Sequence, residues 1–218
     1  LLAAFGFGGA VLAMAGALTV VWLCSLYWLR TDFGKAKAKP KFTELFSKSR
    51  AVNILSAARL FLFGARDVWF VVALPVFLAA ALGWSHWQIG GFLALWIIGY
   101  GFVQSIAPYF TGGKSGHVPD GRTALRWALP LAIVPAAIAF LLAQGAHPAA
   151  VLVIGLMLFG ALFAVNSSLH SYLILSYAKE DGVSMDVGFY YMANAMGRLL
   201  GTVLSGWVYQ AYGLPACL

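Results

Sequence analysis

Charge is what this sequence has least of. Charged side chains make up 10% of its 218 residues and hydrophobic ones 62%, against roughly 25% and 45–50% in soluble domains, which excludes a water-soluble globular domain. Acidic residues are the scarcest: seven Asp and Glu stand beside fourteen Lys and Arg, for a formal net charge of +7. In a soluble protein that excess would suggest a nucleic-acid partner, but the placement of the basic residues, below, assigns it to membrane topology instead. Cysteine is nearly absent. Cys24 and Cys217 lie in apolar segments near opposite ends and form neither CxxC nor a zinc spacing, which excludes a disulfide framework and a metal site. His86, His117, His147 and His170 are scattered over loops and one helix. With no nucleophile–base pair and no metal constellation, catalysis and a cofactor are not expected. "GGKS" (Gly112–Ser115) imitates the end of a phosphate loop, but Pro108 stands where its first glycine belongs and no strand precedes it. The sequence has no initiator Met and no signal-peptide pattern. "LLAAFGFGGA" reads as the tail of a preceding helix and its turn, and "GLPACL" as the start of another apolar segment, so the interior of a longer protein is expected.

What is present is a series of long apolar runs, each able to cross a hydrocarbon core about 30 Å thick. Six crossings are predicted, at about Ala10–Leu29, Val52–Leu82, Trp87–Phe110, Trp127–Gln144, Ala149–Tyr177 and Asp186–Tyr212. Pro75, Pro130 and Pro135 fall inside spans, where kinks rather than breaks are expected. The connector "RTDFGKAKAKPKFTELFSKSR" (Arg30–Arg50) holds seven basic residues, Thr111–Arg126 holds three, and Lys179 lies in the next. These three share one side of the membrane, while "GWSH" and "GAHP" on the other hold none. The bias places the basic connectors in the cytoplasm and the protein, multi-pass, in the inner (plasma) membrane. Three parts follow: residues 1–29, the basic central connector 30–50, and a helical bundle over 51–218.

Arg59, Arg66, Asp67 and Arg198 lie inside spans, where a central charge costs at least about 2.5–3.5 kcal/mol on insertion scales. At ~1.5 Å per residue, Arg66 and Asp67 sit roughly 18–20 Å into the second span and Arg198 about 18 Å into the last. Arg59 shares a face with Arg66 and, two turns in, is within snorkelling reach of the headgroups. In the last span Tyr191, Asn194 and Arg198 form a polar stripe, and Gly197, Gly201 and Ser205 a small-residue stripe suited to helix packing. In the fifth span Asn166 and His170 share a face, as do Ser167 and Ser171. Asp67 can pair with Arg66 or lock onto Arg198 as a structural ion pair. One carboxylate cannot neutralise three guanidinium groups, so an excess of two positive charges must face water, a ligand or a partner helix. Buried arginines match the oxygens of phosphate-like and carboxylate anions. A small anionic substrate is therefore expected, held among Arg66, Arg198, Arg59, Asp67, Asn166, His170, Tyr191 and Asn194.

A basic connector followed by such spans is similar to the centre and second half of a major facilitator transporter, covering about its sixth to eleventh helices. More specifically, "KAKAKPKF", "LFSKSRAVNILSAARLFLFGARDVWFVVALPVFL", "GGFLALWIIGYG" and "DVGFYYMANAMGRLLGTVLSG" resemble the organoarsenical efflux permeases (ArsJ type). The resemblance implies an all-α integral membrane protein with a major facilitator type helical bundle. It implies export of 1-arseno-3-phosphoglycerate, conferring arsenate resistance, and a functional link to glyceraldehyde-3-phosphate dehydrogenase, which makes that compound from arsenate. Export of another anionic metabolite or drug is the alternative. The Thr111–Arg126 connector departs from the gating motif common in that superfamily, with only "PDGR" (Pro119–Arg122) similar to it.

The charge bias makes the topology testable. In a background lacking Cys24 and Cys217, single cysteines placed in "GWSH" or "GAHP" should react with an impermeant thiol reagent on intact cells. Cysteines within Lys35–Lys41 should react only after permeabilisation, and the opposite pattern would overturn the orientation.

Overall fold

A computed structural model describes residues 2–28, 49–112, 119–178 and 183–218. Most of the Arg30–Arg50 connector, the "GKS" of the glycine loop, His117 and Lys179 lie outside the described residues. Every described element is helical, and the chain divides into two compact units, Leu1–Lys39 and Pro40–Leu218. The first contains α1 (Leu2–Trp28), an uncharged helix interrupted at Gly6, whose φ of 67° leaves the helical region. Phe7, Leu12, Val20, Trp22 and Leu26 are all exposed on it, an outer surface suited to lipid.

The second unit contains α2 (Arg50–Phe70), α3 (Ala73–Ala80), α4 (His86–Thr111), α5 (Gly121–Ala143), α6 (Pro148–Tyr177), α7 (Val183–Tyr212) and the short α8 (Leu214–Cys217). Local chemistry fixes the starts. Ser85 and Gln88 form a capping box ahead of α4, satisfying two backbone donors reciprocally. Asp120 Oδ1 accepts from both the N–H and the hydroxyl of Thr123 at 2.9 Å, which starts α5 six residues before the expected Trp127. At the end of the described residues Leu214 and Cys217 are buried in the main core, and both cysteines are free thiols.

The kink expected at Pro75 is a break. Val71 and Val72 separate α2 from α3 while keeping right-handed dihedrals. Proline has no N–H to offer the Val71 carbonyl and its ring crowds that carbonyl. At the same break the Ala73 N–H donates to Ser205 Oγ on α7, at 3.0 Å, the kind of side-chain partner that irregular backbone needs at membrane depth. α5 runs through Pro130 and Pro135, and α4 through Pro108, without interruption.

Among the described residues, five helical stretches are long and apolar enough to cross a membrane: Phe5–Trp28, Arg50–Ala80, His86–Thr111, Gly121–Ala143 and Pro148–Tyr177. α7, at 30 residues, is long enough at about 45 Å but too polar to qualify alone. Its packing places it. Along α2 and α7, Arg59 meets Asn194, Asp67 meets Arg198 and Ala73 meets Ser205, so the two helices run parallel over the depth of the bundle. α4 and α6 are also parallel, with Trp96 Nε1 donating to the Leu156 carbonyl at 2.7 Å and Ala107 packing with Val165 and Leu169. α5 and α6 are antiparallel, with Trp127 against Asn166 and Ile138 against Gly155. These directions are what consecutive crossings by α2–α3, α4, α5, α6 and α7 require. Large apolar side chains such as Phe61, Ile98, Leu129, Ile154 and Leu199 remain exposed, as a lipid-facing surface would have them.

α7 meets α2 most closely through its glycines. A methyl group at Gly197 would strike the Leu60 carbonyl oxygen, and one at Gly201 would strike the Gly64 carbonyl oxygen. Backbone on both sides cannot yield as a side chain could, so Gly197→Ala and Gly201→Ala should each lower stability by about 1–3 kcal/mol. Leu199→Ile, on the exposed face, should stay within about 0.5 kcal/mol. Thermal unfolding of the purified protein in detergent measures both, and equal tolerance would remove the glycine contact from the account.

Candidate functional site

The intramembrane charges gather where α2, α6 and α7 meet. Asp67 is fully buried and divides its two oxygens between two helices. Oδ1 accepts from Arg66 Nε at 2.7 Å and Nη2 at 2.6 Å, and Oδ2 from Arg198 Nε at 3.1 Å. The pairing expected with one arginine or the other is thus made with both. The Arg66 side chain is 12% exposed and that of Arg198 is 56% exposed, so the aspartate links an interior cation to one on the outer face of the bundle. Arg66 spends one edge of its fork on Asp67; its Nη1 has no hydrogen-bond partner among the described residues.

Arg59 does not snorkel. It is 5% exposed and turned inward, with Nε donating to Asn194 Oδ1 at 3.1 Å and Nη1 to Ser167 Oγ at 3.2 Å. Its guanidinium carbon lies 4.0 Å from the centre of the Phe63 ring and 5.2 Å from that of Tyr190. Arg66 meets the same Phe63 ring at 4.7 Å, and Phe163 at 5.2 Å. Aromatic faces and neutral acceptors stabilise a cation in low dielectric without cancelling it, so the excess of two positive charges persists among these four residues.

A cavity of about 420 Å³ opens between α2, α5 and α6, with Arg66, Asn166 and His170 set among apolar lining that includes Trp69, Leu131 and Pro135. That is within the usual size range of small-molecule sites, which pair apolar walls with a few polar groups. Asn166 Nδ2 donates to the Trp127 carbonyl at 2.8 Å and to the Leu162 carbonyl at 3.2 Å. Both amide hydrogens are therefore used, which fixes the amide orientation. Asn166 Oδ1 and His170 Nδ1 are buried with no hydrogen-bond partner.

Of the eight residues predicted for the site, Arg66, Asn166 and His170 line the cavity. Asp67 and Arg198 form the ion cluster beside it, and Asn194 serves Arg59. The polar stripe on α7 divides accordingly: Asn194 and Arg198 take different partners, while Tyr191 is exposed and stacks edge-on against Tyr190, apart from the cluster. Ser167, Phe63 and Tyr190 were not among the eight. Phe63 was findable, being four residues after Arg59 and three before Arg66 and so on their shared face. Tyr190 and Ser167 reach Arg59 only through helix packing. Among the described residues no His, Cys, Asp or Glu group is arranged to hold a metal ion. Scans of protein-family models, curated proteins and solved structures each return no match to this chain.

Removing one partner of a buried ion pair strands the other charge, at about 3–5 kcal/mol. Asp67→Asn should therefore destabilise the fold by about 3 kcal/mol, the lower end because Arg198 is half exposed to its surroundings. Unfolding in detergent tests this, and wild-type stability for Asp67→Asn would show that the arginines do not depend on it.

Proposed function

We propose that this protein is a secondary transporter of the major facilitator type that exports a small anionic organoarsenical, 1-arseno-3-phosphoglycerate, across the inner membrane by alternating access. The observation that carries the reading is Arg66: a guanidinium near mid-depth, on a cavity wall, with one edge of its fork unused and, among the described residues, Asp67 as the one acidic side chain paired with it. A planar fork in a low-dielectric cavity suits a phosphate or arsenate oxygen pair. The break between α2 and α3, about one and a half turns beyond Arg66, supports a moving element, since discontinuous helices line the midplane sites of such transporters. The arsenical itself, and the link to glyceraldehyde-3-phosphate dehydrogenase, rest on the resemblance of the quoted stretches. A guanidinium edge reads an oxyanion and does not distinguish arsenic from phosphorus, which is what favours export of another anionic metabolite as the second reading.

Cells carrying the full-length protein should tolerate arsenate only when glyceraldehyde-3-phosphate dehydrogenase is active. Compared at matched protein level, Arg66→Ala should abolish that tolerance, and Arg66→Lys, which keeps the charge and loses the fork, should retain part of it. Arsenate tolerance independent of the dehydrogenase, or unchanged in Arg66→Ala, would overturn the organoarsenical reading. Efflux of other anions from the same cells would then decide for the second.

A further inference from the structure

α7 presents three faces, and one of them has no partner. Tyr190, Gly197, Gly201 and Ser205 are buried against the bundle. Met192, Met196, Leu199, Val203 and Trp207 are exposed and apolar, a surface suited to lipid. Between these faces, at spacings of three and four, run Tyr191, Ala195, Arg198, Thr202 and Gly206. Tyr191 is 52% exposed and the Arg198 side chain 56%, and a methyl group at Gly206 would meet nothing within 4 Å. Arg198 stands near the middle of α7 (Val183–Tyr212), roughly 20 Å from either end and beyond snorkelling reach of a headgroup. Its Nε donates to Asp67, while its Nη1 and Nη2 have no hydrogen-bond partner among the described residues. Asp67 already divides its two oxygens between Arg198 and Arg66. A guanidinium at that depth is not left facing hydrocarbon, so the stripe is covered in the membrane.

We infer that the stripe from Tyr191 to Gly206 is the contact surface for a membrane-spanning helix, outside these 218 residues, that brings an Asp or Glu to the level of Arg198. Charge selects this partner. Arg198 shares its one carboxylate with Arg66, and a second carboxylate at Nη1 or Nη2 would fill the part of the fork that Asp67 leaves free. The flanking residues suit a helix: Ala195, Thr202 and Gly206 are small and let backbones approach closely. α7 already uses this combination once, where Gly197 and Gly201 admit α2 and Arg198 meets Asp67. A second copy of this chain does not fit. Its Asp67 is fully buried, and its other acidic residues are Asp32, Glu44, Asp120, Glu180, Asp181 and Asp186, which lie in connectors or in the first turn of α7. The stripe also accounts for the low hydropathy of α7, because two of its three faces then meet protein. None of this depends on what Arg66 binds.

Nitroxide labels report the cover directly. In the full-length protein in liposomes, without Cys24 and Cys217, labels on Ala195→Cys and Thr202→Cys should be poorly accessible to both oxygen and a water-soluble nickel chelate. Labels on Leu199→Cys and Val203→Cys should be open to oxygen. High oxygen accessibility at Ala195 and Thr202 would make the stripe a lipid surface, and high nickel accessibility would make it the wall of a water-filled path; either overturns the inference. A membrane-permeant carbodiimide tests the charge. In Arg198→Lys it should condense the introduced amine with the facing carboxylate, forming an amide while the carbodiimide takes up the water lost and becomes a urea. Mass spectrometry of the digest should then find a cross-link to an Asp or Glu in a helix outside these 218 residues. Cross-linking to Asp67 alone, or none at all, would overturn the carboxylate partner even where the labels are covered. The two readouts use different substitutions, so a variant that fails to fold in one leaves the other decisive.

Discussion

The carboxylate of Asp67 holds guanidinium groups from two helices, and it can do so because those helices approach through glycine. A side chain added at Gly201 would meet both the Gly64 carbonyl and the Asp67 Cβ, the latter at 3.0 Å. The space that Asp67 occupies beside α7 is thus the space that Gly201 leaves empty. Packing and charge are a single arrangement at this point. The glycines bring α7 within 3.1 Å hydrogen-bonding reach of Asp67 through Arg198, and the ion pair supplies an attraction that apolar helices in lipid otherwise lack.

That arrangement also explains how α7 can cross a membrane while carrying Asn194, Arg198 and Ser205. Each meets a polar partner on α2 or at the start of α3: Asn194 meets Arg59, Arg198 meets Asp67, and Ser205 meets the Ala73 N–H. The dependence is mutual. Without Ser205, the Ala73 N–H at the break between α2 and α3 would be left an unmet donor at depth, and without Asn194, Arg59 would lose one of its few acceptors. The two helices are a pair with their polar groups turned toward each other, and hydropathy measured on α7 alone misses this because it scores residues and not contacts.

Much of this was legible in the sequence, for reasons that mark where legibility stops. Apolar runs and caps report local energetics, so most helices came out close to their observed bounds; the exceptions are the start of α1, at Leu2 and not Ala10, and that of α5, which the Asp120 cap moves back to Gly121. Depth follows from counting residues, which is why Arg66, Asp67 and Arg198 could be placed near one level. The small-residue stripe and the charges looked like separate features because a stripe on one helix does not say what it faces. Whether Arg59 reaches for headgroups or turns inward depends on Ser167 and Tyr190, contributed by α6 and α7, and no spacing within α2 encodes them. The break at Val71–Val72 had a visible cause in Pro75, but its stability depends on a serine 132 positions away from Ala73.

The two surplus charges are not equivalent, and the difference decides which of them can serve a ligand. Arg59 has a hydrogen-bond acceptor on α6 and another on α7, and an aromatic face from α2 and from α7. An anion would have to displace these to reach it, exchanging several aligned contacts for its own. Arg66 also meets the Phe63 and Phe163 rings, but its hydrogen bonds run along one edge only, to a carboxylate that it shares with Arg198. Its position is fixed while its remaining edge stays available, which is the condition for binding without first rearranging the site. Asp67 therefore has a second effect beyond joining helices. By taking Nε and Nη2 it orients the fork, and by dividing its charge between two arginines it leaves each incompletely neutralised. Arg59 supplies field and helix cohesion from behind, and Arg66 is the cation with an edge left open on the cavity wall.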